Sequence, residues 1–138
     1  MDIWEELFFA AKDLYKPQYT TKFIYSHHVA SAIEADNGDV FTGFCIRSSG
    51  GVANLCAERV AAINMFVNGG RTVIKRMVTV GDGLTRGQLT IPCGACREFL
   101  MQLSTRNSKT EILTNYFDRK IVTLGELIPY WWGYDKLD

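Results

Sequence analysis

Two short stretches, CAER at residues 56–59 and PCGACR at residues 92–97, organise the rest of this sequence. Cysteine thiolates are soft ligands that bind Zn²⁺ tightly, and three of them leave one tetrahedral position open. Glu58 follows the first cysteine by two residues. It can therefore act on a molecule in the open coordination position of the zinc without binding the metal itself. The pattern predicts a catalytic zinc site whose ligands are Cys56, Cys93 and Cys96.

Two other interpretations of these cysteines remain open. A closed structural zinc site would need a fourth ligand, such as Cys45 or a histidine, and usually shows two paired ligand spacings. A redox pair made of Cys93 and Cys96 would leave Cys56 and Glu58 without a role. The single cysteine followed by a glutamate in the first stretch favours the catalytic site.

The composition predicts one globular domain that spans residues 1–138 and lies in the cytoplasm. Hydrophobic residues make up 47% and charged residues 22%, which is typical of a chain with a packed core. Fifteen acidic residues balance fifteen basic ones without a basic run, which argues against nucleic acid as a partner. Because the N-terminus is acidic and no apolar run approaches roughly 18 residues, we expect neither a signal peptide nor a membrane span.

Apolar periodicity and turn signals predict the element order α-β-β-α-β-α-β-β-α. Residues 16–26 are expected to form a loop. This order suggests an α/β fold of three layers, in which helices cover both faces of a mixed five-stranded sheet. The predicted helices cover residues 3–15, 55–67, 93–103 and 124–132, and the predicted strands cover residues 29–35, 39–45, 73–80, 110–115 and 120–122.

The spacing Cys-x-Glu followed by Pro-Cys-x-x-Cys is the signature of the zinc deaminases of nucleobases. The sequence resembles the cytidine deaminase family in its three-cysteine branch, and VASAI at residues 29–33 is similar to the first strand of blasticidin S deaminase. The resemblance extends from residue 14 to residue 132. It implies the cytidine deaminase-like fold, a zinc cofactor, a small aminopyrimidine nucleoside as substrate, and a homotetramer or at least a dimer.

The resemblance also implies a mechanism, in which the exocyclic amine of a cytosine-type nucleoside becomes a carbonyl and ammonia leaves. A zinc-bound water would be the nucleophile, and Glu58 would carry its proton to the ring nitrogen and the leaving amine. Helix N-termini would stabilise the cysteine thiolates. Because three thiolates give the zinc a surplus of negative charge, Arg59 and Arg97 are expected to donate to ligand sulfurs.

The sequence departs from the resembled family where the substrate's sugar would bind. Cytidine deaminases have Asn-x-Glu there to bind the ribose hydroxyls, whereas this chain has CIR at residues 45–47. Cys45 is a weak hydrogen-bonding partner and Arg47 accepts no hydrogen bond. The change favours a blasticidin S-like, modified or phosphorylated nucleoside over cytidine, although the loop length before Cys56 is that of cytidine deaminases. Arg47 would meet a carboxylate or phosphate, or else a neighbouring backbone or subunit.

Three further residues are candidates for substrate binding. Backbone groups near Ala57 would hold the carbonyl of the pyrimidine ring. His27 would stack on that ring, or else be an ordinary residue at the start of a strand. Trp132 would close over the active site of a neighbouring subunit, or else be an ordinary residue of a subunit interface.

Two other classes of function compete with a nucleoside deaminase. A nucleic-acid editing enzyme would act on flipped bases, but it would need a strand-binding groove and a basic stripe. A catalytically silent zinc-binding or ligand-sensing protein would keep the fold without turnover, but it would have no use for Glu58 as a proton shuttle.

Overall fold

The computed structural model describes residues 1–83 and 86–137. Within these residues the chain forms four α-helices and six strands, together with 3-10 helices at Thr105–Lys109 and Trp132–Lys136. The helices are α1 (Ile3–Leu14), α2 (Ala57–Gly69), α3 (Gly94–Leu103) and α4 (Leu124–Leu127), and the strands are β1 (Gln18–Tyr19), β2 (Ile24–Ala35), β3 (Val40–Ser48), β4 (Ile74–Val80), β5 (Glu111–Asn115) and β6 (Lys120–Thr123).

The six strands form one mixed sheet. They follow the order β1-β2-β4-β5-β6, and β3 pairs with β2 off this path. The β4–β5 pairing is parallel, and the other pairings are antiparallel. The mixed sheet confirms the α/β class, with six strands where the sequence predicted five.

The sixth strand comes from the segment that the sequence predicted as a loop. Gln18 pairs with Ser26 and Tyr19 pairs with Tyr25, so the chain folds back on itself before the predicted hairpin begins. The rings of Tyr19 and Tyr25 lie 5.0 Å apart between centroids, which stabilises this short pairing. The last predicted helix is also shorter than expected, because α4 ends before Pro129 and a separate 3-10 helix covers Trp132–Lys136.

Helices cover both faces of the sheet, as the sequence predicted. Alternate residues of β2 point to opposite faces: Ala30 and Ala32 join the core beneath α1, and Ile33 and Ala35 join the core beneath α2 and α3. No helix in residues 1–83 and 86–137 is long and apolar enough to cross a membrane.

One glycine sets the distance between α2 and the sheet. A Cβ atom on Gly43 of β3 would collide with the backbone nitrogen of Ala61 and lie 2.9 Å from Val60 Cγ1. The absence of a side chain therefore lets α2 lie directly against β3. This close contact fixes the first turn of α2, which carries Glu58, relative to the strand that carries Cys45 and Arg47.

Candidate active site

The starts of two helices bring three cysteines together. Cys56 is the N-cap of α2, Cys93 is the N-cap of α3, and Cys96 lies in the first turn of α3. Neither N-cap thiol forms a capping hydrogen bond with the backbone of its own helix, so both thiols can bind another partner. The free N–H groups and the dipole of each helix start favour negative charge on these sulfurs.

The three sulfurs have the spacing of a zinc ligand set. All three lie within 4.8 Å of one another, and Cys56 Sγ is 3.4 Å from Cys93 Sγ. Thiolates bound tetrahedrally about 2.3 Å from one zinc ion would be about 3.8 Å apart. Among residues 1–83 and 86–137, no fourth histidine, cysteine or acidic side chain joins this cluster. The donor set therefore fits Zn²⁺ with one position left for a small molecule.

Arg59 supplies positive charge beside the sulfurs, as the sequence predicted. Its Nη2 donates to Cys56 Sγ over 3.7 Å, and this hydrogen bond raises the pKa of Arg59, with Cys96 acting in the same direction. Burial raises the pKa of the Cys96 thiol, and the negative charge of Glu58 raises it further. A cation is therefore needed before all three sulfurs can be thiolates together.

Arg97 does not act on the sulfurs as expected. Its Nε donates to the carbonyl oxygen of Pro92 and its Nη1 to that of Leu127, each over 2.8 Å. From its place after Cys96 in α3, the guanidinium reaches two backbone carbonyls instead of a thiol. Arg97 therefore fixes the segment before α3 against the end of α4.

Glu58 lies beside the cysteine cluster in the first turn of α2. Its side chain is only 2% exposed, and it lines the same pocket as Cys56 and Cys93. Burial raises the pKa of its carboxyl group, which makes proton uptake easier than on an exposed glutamate. A buried carboxyl group with a raised pKa next to a metal site is suited to proton transfer.

The pocket above the cysteines has a volume of about 260 Å³. One wall comes from β2 and β3, the second from the start of α2, and the third from the segment before α3. Ala57, a predicted substrate-binding residue, is fully buried and belongs to the second wall. The lining residues are His28, Val29, Cys45, Ile46, Arg47, Asn54, Leu55, Cys56, Ala57, Glu58, Thr90, Ile91 and Cys93.

Cys45 and Arg47, which were predicted to bind substrate, both line this pocket. The Cys45 thiol is 6% exposed and accepts a hydrogen bond from Val29 N over 3.1 Å. Its sulfur also lies 3.1 Å from Nδ1 of His28. Cys45 therefore has partners of its own, separate from the three-sulfur cluster.

His27 was predicted to stack on a substrate ring, and the structure corrects this assignment. A β-bulge lies between Ser26 and Ala30, and His27 has a φ of +64° within it. The His27 ring stacks on Phe44 at 3.6 Å between centroids, while His28 lines the pocket. The bulge breaks the simple alternation of a strand, so it exchanges the faces that the two histidines occupy.

Trp132 lies outside the pocket of its own chain. Its indole nitrogen donates to Glu98 over 2.9 Å, and 58% of the residue is exposed. Trp131 donates to the same carboxylate over 3.1 Å. The closing of a neighbouring active site by Trp132 stays a prediction.

Sequence reasoning missed several lining residues of the pocket. Thr90 and Ile91 lie just before Pro92 and Cys93 in the sequence. Their nearness in sequence to the predicted ligand Cys93 could have identified them as pocket residues. Val29 and His28 gave no such signal, because their orientation depends on the bulge.

Comparisons with known proteins agree with this geometry. The model of the cytidine and deoxycytidylate deaminase zinc-binding region matches residues 5–111. The cytidine deaminase of Halalkalibacterium halodurans is 30% identical over 101 residues, which cover 73% of this chain and 74% of that protein. The cytidine deaminase of Mycoplasma genitalium is 28% identical over 104 residues, which cover 75% of this chain and 78% of that protein.

A solved structure shows the same similarity across nearly the whole chain. The crystal structure of cytidine deaminase from Mycobacterium tuberculosis matches with a TM-score of 0.71 and 26% identity, covering 94% of this chain and 97% of that one. Together with the family match, it confirms the resemblance that the two cysteine stretches indicated. The chain belongs to the cytidine and deoxycytidylate deaminase family and is a hydrolytic deaminase with zinc as its cofactor.

Proposed function

We propose that this enzyme converts the exocyclic amine of a cytosine-type nucleoside, or of a related aminopyrimidine, to a carbonyl with release of ammonia. The single observation that carries this proposal is the buried Glu58 carboxyl group in one pocket with the cysteine cluster. Relatives named cytidine deaminases over three quarters of the chain support the same class of substrate.

Cys56, Cys93 and Cys96 would hold the zinc ion, and Arg59 would offset part of their negative charge. When bound, zinc supplies a Lewis acid that makes water a stronger acid and a nucleophile near neutral pH. Cys45 is not assigned to the zinc ion, because its sulfur contacts Val29 N and His28 Nδ1 instead.

Glu58 would move protons between the attacking water and the substrate. Its carboxylate takes one proton from the water and gives it to the ring nitrogen next to the reacting carbon. It then takes the second proton from the added hydroxyl group and gives it to the amine, which leaves as ammonia. A raised pKa suits this exchange because the carboxyl group must be both base and acid near neutral pH.

The size of the pocket supports a small molecule as substrate. A volume of about 260 Å³ lies at the small end of ligand sites and suits one nucleoside-sized molecule. The chain has equal numbers of basic and acidic residues, fifteen each, whereas binding of a nucleic-acid strand requires an excess of positive charge along a groove.

Replacement of Glu58 by glutamine tests the proposal. Glu58→Gln keeps the size of the side chain and removes its proton transfer, so we expect unchanged zinc content and a loss of ammonia release from cytidine of at least about a hundredfold. The matched control is Glu6→Gln on the exposed side of α1, which should behave as wild type. Full activity of Glu58→Gln would contradict the proposed role.

A further inference from the structure

We propose that Arg47 selects substrates that carry a negatively charged carboxylate or phosphate group on the part of the nucleoside remote from the reacting amine. This inference rests on the proposed function and adds a substrate class to it.

Arg47 lies near the end of β3 and lines the pocket. Ile46 and Leu55 exchange two backbone hydrogen bonds of 2.9 Å, which hold the end of β3 against the residue before Cys56. Side chains two residues apart on a strand share a face, so Cys45 and Arg47 both face the pocket that Ile46 flanks. Arg47 is exposed and lines the same pocket as Cys56 and Cys93.

The guanidinium has aromatic support but no acidic partner within residues 1–83 and 86–137. Its central carbon lies 6.0 Å from the centroid of the Tyr25 ring, which in turn stacks on His28 at 4.7 Å. Burial lowers the pKa of His28 and the positive charge of Arg47 lowers it further, while a backbone hydrogen bond and the negative charge of Asp82 oppose this shift. His28 therefore stays neutral near pH 7, and Arg47 is the cation of this wall.

Two side-chain acceptors near Arg47 are already engaged. Asn54 Oδ1 accepts from Ser48 N over 2.7 Å, and Cys45 Sγ accepts from Val29 N. Among the described residues that line the pocket, Glu58 is the one acidic residue, and it lies beside the cysteines. The positive charge of Arg47 is therefore complementary to a negatively charged group on the substrate.

A carboxylate or phosphate matches this wall better than a neutral sugar does. A guanidinium can form two parallel hydrogen bonds to either anion, and such charge-assisted bonds are shorter and stronger than neutral ones. A hydroxyl group would use a single N–H donor and would leave the positive charge uncompensated. The geometry thus favours an anionic nucleoside derivative over the parent nucleoside.

The test compares three substrates of the zinc-loaded enzyme by ammonia release: cytidine, cytidine monophosphate and the cytosine nucleoside with a carboxylate in place of its hydroxymethyl group. We expect kcat/KM for at least one anion to exceed that for cytidine roughly tenfold or more. Comparing cytidine monophosphate with the carboxylate nucleoside shows whether the enzyme prefers a phosphate or a carboxylate group. Calorimetric binding of the uridine counterparts, which are not turned over, should show the same preference.

Arg47→Gln should remove the preference for the anion, measured as the ratio of kcat/KM for the anion to kcat/KM for cytidine, because an amide cannot replace the charge. Arg106→Gln, at an exposed arginine outside the pocket, is the matched control and should keep the preference. Deamination of cytidine with no advantage for either anion, or an unchanged preference in Arg47→Gln, overturns this inference and leaves the proposed function intact. Absence of turnover and binding with all compounds overturns both.

Discussion

At the scale of single residues, the structure divides the four cysteines into two groups with different partners. Cys56, Cys93 and Cys96 face one another, whereas Cys45 contacts His28 and a backbone N–H. Burial raises the pKa of the Cys45 thiol, so this sulfur stays protonated near pH 7. Cys45 also lies outside the group of three sulfurs that are within 4.8 Å of one another, so its position assigns it to the pocket wall.

This division predicts opposite results for two equivalent substitutions. Cys96→Ser should lose most of its zinc, because a hydroxyl group is a much weaker zinc ligand than a thiolate. Cys45→Ser should keep close to one zinc per chain, measured by elemental analysis after gel filtration. Equal loss of zinc in both variants would contradict the separation of the two groups.

The sequence predicted the metal-facing residues better than the substrate-facing ones. The cysteine and glutamate spacing required both helix starts to lie at one place, and the structure places them there. The exchange of His27 for His28 depends on a bulge, for which residue alternation gives no signal. The Arg97 side chain could reach either a sulfur or a carbonyl from its position, and only its rotamer decides between them.

At the scale of secondary-structure elements, one buried side chain connects α3 to the sheet. Asn107 is fully buried; its Oδ1 accepts from Ile74 N over 2.8 Å, and its Nδ2 donates to the carbonyls of Thr72 and Leu100 over 3.0 and 2.9 Å. These bonds tie the C-terminal end of α3 to the start of β4. They therefore orient the helix whose first turn carries Cys96.

Asn107→Ala should lower the free energy of unfolding by about 2–4 kcal/mol, because it leaves buried backbone groups without partners. Urea unfolding followed by circular dichroism measures this change. Asn68→Ala, at an exposed asparagine of α2, is the control and should stay within about 0.5 kcal/mol of wild type. Equal free energies of unfolding for the two variants would contradict the role of Asn107 in connecting α3 to β4.

The sequence predicted the three longer helices closely and the short elements poorly. It also missed the start of β2, which begins at Ile24 within the predicted loop instead of at residue 29. Apolar periodicity and caps determine α1, which begins after its N-cap Asp2, and Gly70 ends α2 in the left-handed conformation, with a φ of +65°. The two-residue strand β1 has no periodicity to detect, since it depends on pairing with β2. The short α4 depends on its Thr123 capping box and on contacts rather than on helix propensity.

At the scale of the whole molecule, α2 has an apolar stripe that the chain itself does not cover. Ile63, Phe66 and Val67 lie three and four residues apart on this helix and are 37%, 50% and 70% exposed. An exposed stripe of this kind is typical of an interface between subunits. It supports the homotetramer that the family resemblance implies.

The homotetramer remains a prediction, and light scattering tests it. We expect a mass close to four times the 15.6 kDa of one chain. Phe66→Glu should shift the mass toward smaller species, because it buries a charge in the proposed interface. A monomeric wild-type protein would contradict the prediction and would also exclude Trp132 as a residue that closes a neighbour's pocket.

The central claim is that three sulfurs hold one zinc ion whose remaining position faces Glu58. Anomalous diffraction at the zinc edge, from crystals of the purified protein, tests this claim most directly. The account predicts one peak per chain between the sulfurs of Cys56, Cys93 and Cys96, with the Glu58 carboxyl group on the open side. Absence of a peak there, or a fourth protein side chain that fills the open position, would contradict it.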